Sequence, residues 1–174
     1  GKLRGATMAC TVMSNLGLHE ALRQAGIAVL TTAVGDRHVI EALRAGGFSF
    51  GGENSGHLIF ADHATTGDGI LSALQVLRIM KRTGRPLSVL AQVMREYPQT
   101  LVNLKVRAKP PLESLPALQA ALREADAAFG PLGRHLIRYS GTENKVRILV
   151  EHREAAVVDA WSTRLRVIIE QELA

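Results

Sequence analysis

Apolar residues fall into short blocks punctuated by glycine, proline and capping residues, and the period inside the blocks changes along the chain. Ala6–Met13 is a run of small and aliphatic side chains that reads as a buried strand. Ser14-Asn15 follows with helix-capping oxygens, and Leu16–Ala25 is helical until Gly26 stops it. Ile27–Thr31 is a second strand and Thr32–Gly35 a loop. Asp36–Ala45 is a second helix, with Val39, Ile40 and Leu43 on one face and Gly46-Gly47 at its end. Phe48-Ser49-Phe50 starts a third strand, which Leu58-Ile59-Phe60 continues beyond a glycine-rich segment. Asp68 or Thr66 caps the next helix, whose apolar side is Ile70, Leu71, Leu74, Leu77, Ile79 and Met80. Lys81-Arg82 suits its carbonyl pole. Thr83–Pro86 breaks that helix, and Ser88–Arg95 reads as a short amphipathic one. Strand and helix alternate at short intervals, which predicts an α/β layer with a mainly parallel sheet.

The pattern then shifts. Tyr97-Pro98-Gln99-Thr100 reads as a linker, placing a boundary between residues 1–96 and 97–174. In the second unit, Leu101, Asn103, Lys105 and Arg107 alternate with Val102, Leu104 and Val106, the period of a half-exposed strand. A helix over Leu115–Ala128, strands over Arg134–Tyr139 and Val146–Glu151, and a helix over Ala155–Glu170 complete a βαββα order. That order predicts an antiparallel sheet with its helices on one face. Trp161 falls on the apolar side of the last helix and reads as core rather than as a binding platform.

Composition narrows the function classes. Of the 174 residues, 47% are hydrophobic and only 4% aromatic, so the cores are aliphatic. Net charge is +5, spread evenly: residues 1–97 carry ten basic and seven acidic side chains, residues 98–174 eleven and nine. Without a basic run or an aromatic stacking surface, nucleic-acid binding fits poorly, and anionic small molecules remain open. The single cysteine, Cys10, excludes an intrachain disulfide and fits a reducing, cytoplasmic setting. Its apolar surroundings in sequence suit a structural thiol. No stretch reaches the length of a membrane span. Asp62-His63 has too few donors for a metal site.

Two loops carry chemistry. Arg138-Tyr139-Ser140-Gly141-Thr142-Glu143-Asn144-Lys145-Val146-Arg147 lies between apolar runs and predicts a hairpin. Arg138 and Arg147 offer planar forks for an oxyanion, Ser140 and Thr142 offer hydroxyls, and Gly141 allows backbone N–H groups to turn inward. The same residues also suit a solvated polar hairpin. Gly51-Gly52-Glu53-Asn54-Ser55-Gly56-His57 combines glycines that let the backbone approach a ligand with donors and acceptors suited to sugar hydroxyls. A glycine-rich turn with its polar residues facing water is the plainer reading.

R-x-S-G-T-E-x-x-x-R resembles the phosphate-binding loop in the last domain of the α-D-phosphohexomutases, and G-E-N-S-G-H resembles the sugar-specificity loop of their third domain. Asn144 stands where the family often has proline. Val12–Gly17, Val34–Arg37 and Thr65–Ile70 are similar to segments of the branch that acts on glucosamine phosphates, so the likeness spans essentially the whole chain. The resemblance implies a three-layer α/β domain three with a mainly parallel sheet, over residues 1–96. A small α+β domain four (βαββα, TATA-box-binding-protein-like) would follow over 97–174, with no DNA contact implied.

It further implies that Arg138, Ser140, Gly141, Thr142 and Arg147 hold phosphate, and that Glu53, Ser55 and His57, with Asp36 and Arg37, hold the sugar. His57 is also a candidate proton-transfer assistant. The family's serine loop and its D-G-D-x-D-R magnesium loop are absent from these residues. The chain is therefore expected to be domains three and four of a longer bacterial enzyme, inactive alone, its partners the phosphosugar and the N-terminal domains. That enzyme would use Mg2+ and a phosphoserine to interconvert glucosamine 6-phosphate and glucosamine 1-phosphate. It would pass through glucosamine 1,6-bisphosphate, on the route to UDP-N-acetylglucosamine and cell-wall precursors. A mutase for glucose or mannose phosphates, and a sugar-phosphate binding module without catalysis, are the alternatives.

Overall fold

The computed structural model of the chain describes residues 3–173. The chain forms two compact units, one ending at Glu96 and the other beginning at Tyr97. In the first, β1 (Thr7–Thr11), α1 (Leu16–Gln24), β2 (Ala28–Thr32), α2 (Asp36–Gly46) and β3 (Phe50–Gly52) alternate as the apolar blocks predict. β4 (Leu58–Phe60), α3 (Gly69–Thr83) and α4 (Leu87–Leu90) follow. The sheet order is β2-β1-β3-β4. β1 pairs in parallel with β2 and β3, as expected of strands linked through helices.

Three expectations need correction here. Leu58–Phe60 does not continue the third strand. It folds back as the antiparallel β4, with Phe50 opposite Phe60 and Gly52 opposite Leu58. A turn closed by Glu53 N–H to the His57 carbonyl at 2.9 Å reverses the chain. The helix foreseen over Ser88–Arg95 is a single turn, Leu87–Leu90, and the residues after it are irregular. The apolar side of α3 exists but is not covered: no residue of α3 is buried, and Ile70 is 78% and Leu74 56% exposed. Periodicity identifies a face; it does not supply a surface to pack it against.

The caps do follow from sequence. Asn15 Oδ1 accepts from Gly17 N–H at 2.9 Å, and Asp68 Oδ1 accepts from Leu71 N–H at 2.9 Å, each satisfying an orphan donor of a first helical turn. One face of the sheet is closed by α2, whose Val39 and Leu43 bury against Ala9 and Ile59.

The second unit is β5 (Gln99–Lys105), α5 (Pro116–Phe129), β6 (Gly133–Tyr139), β7 (Lys145–His152) and α6 (Ala155–Leu173). Its sheet has the order β5-β7-β6 and is antiparallel throughout. Gln99 and Thr100, read from sequence as linker, are already paired with Glu151 and Val150 of β7. Val146, Ile148 and Val150 point into a core shared with Leu118 and Ala125 of α5 and Leu165 and Ile169 of α6. Trp161 packs at its margin, edge-on to Phe129 with ring centroids 5.6 Å apart, and under the Arg164 guanidinium. Among the described residues, no helix is long and apolar enough to cross a membrane.

Ile148 is fully buried at the centre of this core. Ile148→Ala is expected to lower the stability of the second unit by ~2–5 kcal/mol, the range for truncating a large aliphatic side chain in a core. Denaturant unfolding followed through Trp161, the only tryptophan of the chain, reads that unit selectively. A loss below ~1 kcal/mol would contradict the packing.

Candidate functional site

The hairpin between β6 and β7 is built by alternation. Ile137 and Tyr139 of β6 and Val146 and Ile148 of β7 face the helices. Side chains one position away therefore point to the opposite face. The register sets Arg138 directly opposite Arg147, and Arg147 directly opposite Asn103 of β5. One row across all three strands thus carries Arg138, Arg147 and Asn103. The next pair toward the loop is Lys145 opposite Lys105. Four cations gather at one end of the helix-free face.

The loop closing the hairpin is held from both sides. Ser140 is buried; its N–H donates to the Lys145 carbonyl at 2.8 Å, and its Oγ accepts from Glu143 N–H at 3.3 Å. The chain after β5 ties in as well. Val106 N–H donates to the Asn144 carbonyl at 3.0 Å, Lys109 Nζ to the Ser140 carbonyl at 2.7 Å, and Tyr139 Oη to the Pro110 carbonyl at 2.8 Å. Burial, with the Glu113 charge nearby, raises the Tyr139 pKa and keeps the hydroxyl a donor. Thr142 and Gly141 are exposed at the tip. Gly141 does not adopt the left-handed backbone that an αR-αL nest uses. Open space surrounds the position a Cβ would take at Gly141.

Glu143 lies over the cations. Its Oε1 accepts from Lys145 Nζ at 2.5 Å, and its Oε2 is 3.6 Å from the Arg147 guanidinium. The hydrogen bond and charge of Lys145, and to a lesser degree Arg147, hold its carboxyl below the ordinary value of 4.5. Arg147 Nε is buried and has no hydrogen-bond partner.

The second loop lies between β3 and β4. Gly52 has no room for a side chain, since a Cβ there would sit 2.7 Å from the His57 carbonyl. At Gly51 a Cβ would sit 2.7 Å from the Ala9 carbonyl. These two glycines, read from sequence as clearance for a ligand, make room for the chain's own strands instead. Glu53 Oε1 accepts from Gly35 N–H at 2.9 Å, which ties this loop to the one that starts α2. Gly35 has φ 124°, a conformation open to glycine and strained for other residues. Ser55 Oγ lies 3.1 Å from His57 Nδ1. Beside Glu53, a cavity of about 300 Å³ runs between Asn54, Leu58, Ser14 and Met94.

The structure thus pairs Arg138 with Arg147 beside the loop that holds Ser140 on one unit, and Glu53 with the Gly35 amide, just before Asp36, on the other. The Arg37 side chain is 83% exposed and pairs with Glu41 at 2.8 Å, a contact that raises the pKa of Arg37 and lowers that of Glu41. Asp36 Oδ1 accepts from the Arg37 N–H at 2.8 Å. Lys105, Lys109 and Lys145 were not singled out from sequence. Lys145 stands inside the loop motif, but the other two join it only through strand register and the path after β5. Cys10 lies 3.8 Å from His19 Nε2, a neighbour that its position in sequence does not suggest. Asp62 pairs with Arg4 at 2.7 Å. Among the described residues, no three His, Cys, Asp or Glu side chains form a group able to hold a metal ion.

Residues 1–97 match the α/β/α domain III of phosphoglucomutase/phosphomannomutase, and residues 101–166 match the C-terminal domain of the same family. The chain is 47% identical over 171 residues to a phosphoglucosamine mutase of Pelobacter propionicus, covering 98% of this chain and 38% of that protein. It is 52% identical over 167 residues to one of Anaeromyxobacter dehalogenans, covering 94% and 36%. The chain therefore spans well under half the length of these relatives. Its fold matches the crystal structure of an Aspergillus fumigatus N-acetylphosphoglucosamine mutase in complex with GlcNAc-6P and magnesium. That match has a TM-score of 0.76 at 21% identity, over 97% of this chain and 42% of the other.

The Glu143 contacts fix a pH dependence. A carboxyl with a lowered folded pKa stabilises the folded chain above its ordinary value of 4.5, and that contribution is lost as pH falls through the lowered one. Carboxylate NMR is expected to show the Glu143 midpoint below 4.5 and its return toward 4.5 in Lys145→Ala. A midpoint at or above 4.5 in the unaltered chain would contradict the pairing.

Proposed function

Because the chain belongs to the phosphoglucomutase/phosphomannomutase family, whose domain III and C-terminal domain it carries, we propose that it is the substrate-holding part of a phosphoglucosamine mutase. Residues 1–96 serve the sugar and residues 97–174 its phosphate. The observation that carries this reading is the cation row at the β6–β7 hairpin, with Arg138 opposite Arg147 and the buried Ser140 at the start of the loop that follows β6. The identity of about half to phosphoglucosamine mutases supports glucosamine phosphates over glucose or mannose phosphates.

In this reading, the whole enzyme interconverts glucosamine 6-phosphate and glucosamine 1-phosphate through a phosphoserine and glucosamine 1,6-bisphosphate. The serine and Mg2+ belong to the part of the enzyme outside this chain; the metal, where bound, offsets charge on the transferring phosphoryl group. The chain itself has four tasks. Arg138 and Arg147 meet the non-reacting phosphate as planar forks. Ser140 and Thr142 offer their hydroxyls, and Gly141 its amide, to complete its shell. Glu53, Ser55 and His57 exchange hydrogen bonds with ring hydroxyls, and Glu53 keeps its orientation through Gly35 N–H. Asp36 and Arg37 flank that contact at the start of α2. Binding energy from the phosphate that does not react positions the sugar for transfer at its other end. Because Glu53 and Ser55 bind hydroxyls and bear no positive charge, they serve the sugar in both orientations.

Two measurements test this. The chain alone is expected to show no mutase turnover. Titration with glucosamine 1-phosphate, followed by backbone amide NMR, is expected to shift residues 138–147 and 53–57, whereas inorganic phosphate shifts 138–147 alone. Arg138→Ala removes a charge-assisted pair of hydrogen bonds, ~1.5–3 kcal/mol, and should weaken phosphate binding about 10–100-fold. Equal affinity in wild type and Arg138→Ala would overturn the assignment.

A further inference from the structure

Glu143 is the one anion placed among the cations of the β6–β7 loop. Its backbone is fixed, with the N–H on Ser140 Oγ and the carbonyl accepting from Lys145 N–H at 2.9 Å. Its side chain is not: it is 45% exposed and is held by ion pairs alone, the one to Arg147 long at 3.6 Å. Arg147 meanwhile keeps a buried Nε without a partner. The guanidinium is neutralised at a distance, and part of its donor capacity is unused. A carboxylate on a flexible stem over two cations is a poor permanent partner and a good temporary one.

We propose that Glu143 is an exchangeable internal counter-ion, which neutralises Lys145 and Arg147 in the ligand-free loop and is displaced when a phosphate dianion binds. The proposal rests on the phosphate-binding reading of this loop and adds a residue that opposes binding. Displacement favours a dianion: it brings two charges and more acceptor oxygens to the two cations than the single carboxylate it replaces. A free monoanion brings only the charge already present and lacks the advantage of being tethered. Glu143 thus lowers affinity for every anion by one common factor, so an anion that binds weakly to the two cations, as a free monoanion does, leaves the loop to the carboxylate.

The test is titration of the wild-type chain, Glu143→Gln and Glu143→Ala with inorganic phosphate and with acetate at pH 7.5 and constant ionic strength. The readout is the amide shifts of residues 138–147. Shifts elsewhere in the spectrum report whether each variant keeps its fold. Both variants are expected to bind phosphate about three- to tenfold more tightly than wild type, the size of one or two partly exposed ion pairs. Acetate binding is expected to tighten by the same factor, leaving the preference for phosphate over acetate unchanged. Unchanged or weaker phosphate binding in both variants overturns the counter-ion role while leaving the phosphate loop intact. Absence of any loop shift in all three proteins at ~50 mM phosphate, a concentration that a millimolar site would saturate, overturns both readings.

Discussion

Strand register is the constraint from which the second unit follows. Arg138 and Arg147 stand directly opposite each other, and like charges in that position repel by roughly 0.2–1 kcal/mol. The opposite face decides the matter. Burial of a large aliphatic side chain contributes about 1.5–3 kcal/mol, and Ile148, Val146 and Val150 are all fully buried on the helix side. A slip of β7 by one residue would turn these three away from the helices and drive Arg147 into the core. The core therefore enforces an arrangement of cations that the cations themselves oppose. A site for a doubly charged ligand gains from that: its donors are held together before the ligand arrives, and the repulsion is relieved on binding.

The first unit reaches its polar loop by crowding rather than by register. β3 carries two glycines in succession because the backbone of β1 and the returning β4 leave no space for side chains. That crowding forces the chain to turn back at once, and the turn holds Glu53 beside the amide of Gly35. A carboxylate with one oxygen engaged by the protein has a fixed direction, which a freely rotating surface glutamate lacks. In the proposed function, this is how a short flexible-looking segment discriminates among hydroxyls.

Much of this fold is legible in the sequence, for identifiable reasons. Leu101–Arg107 alternates with period two, Asn15 and Asp68 cap their helices, and the β6–β7 hairpin is bounded by aliphatic runs. All of these are local signals. The misses are non-local. Gly51-Gly52 looks like loop, and only the approach of neighbouring backbones makes it strand. The face of α3 was readable, whereas its lack of a covering surface was not. Within the candidate site, the loop residues stand together in the sequence. Lys105 and Lys109 do not, because their proximity depends on which residues of β5 and β7 pair and on where the chain goes next.

The three-stranded sheet of the second unit has β5 and β6 as its outer strands, each with a row of backbone groups facing away from β7. Such edges invite pairing with another chain, and charged side chains along them discourage it. β6 carries Arg134 and Arg138, β5 ends in Lys105, and Arg107 follows. In the proposed function, the cations that meet the phosphate thus also guard the two outer strands of this sheet. In that reading, protection of the sheet edge and ligand recognition draw on the same residues, which ties any change of one to the other.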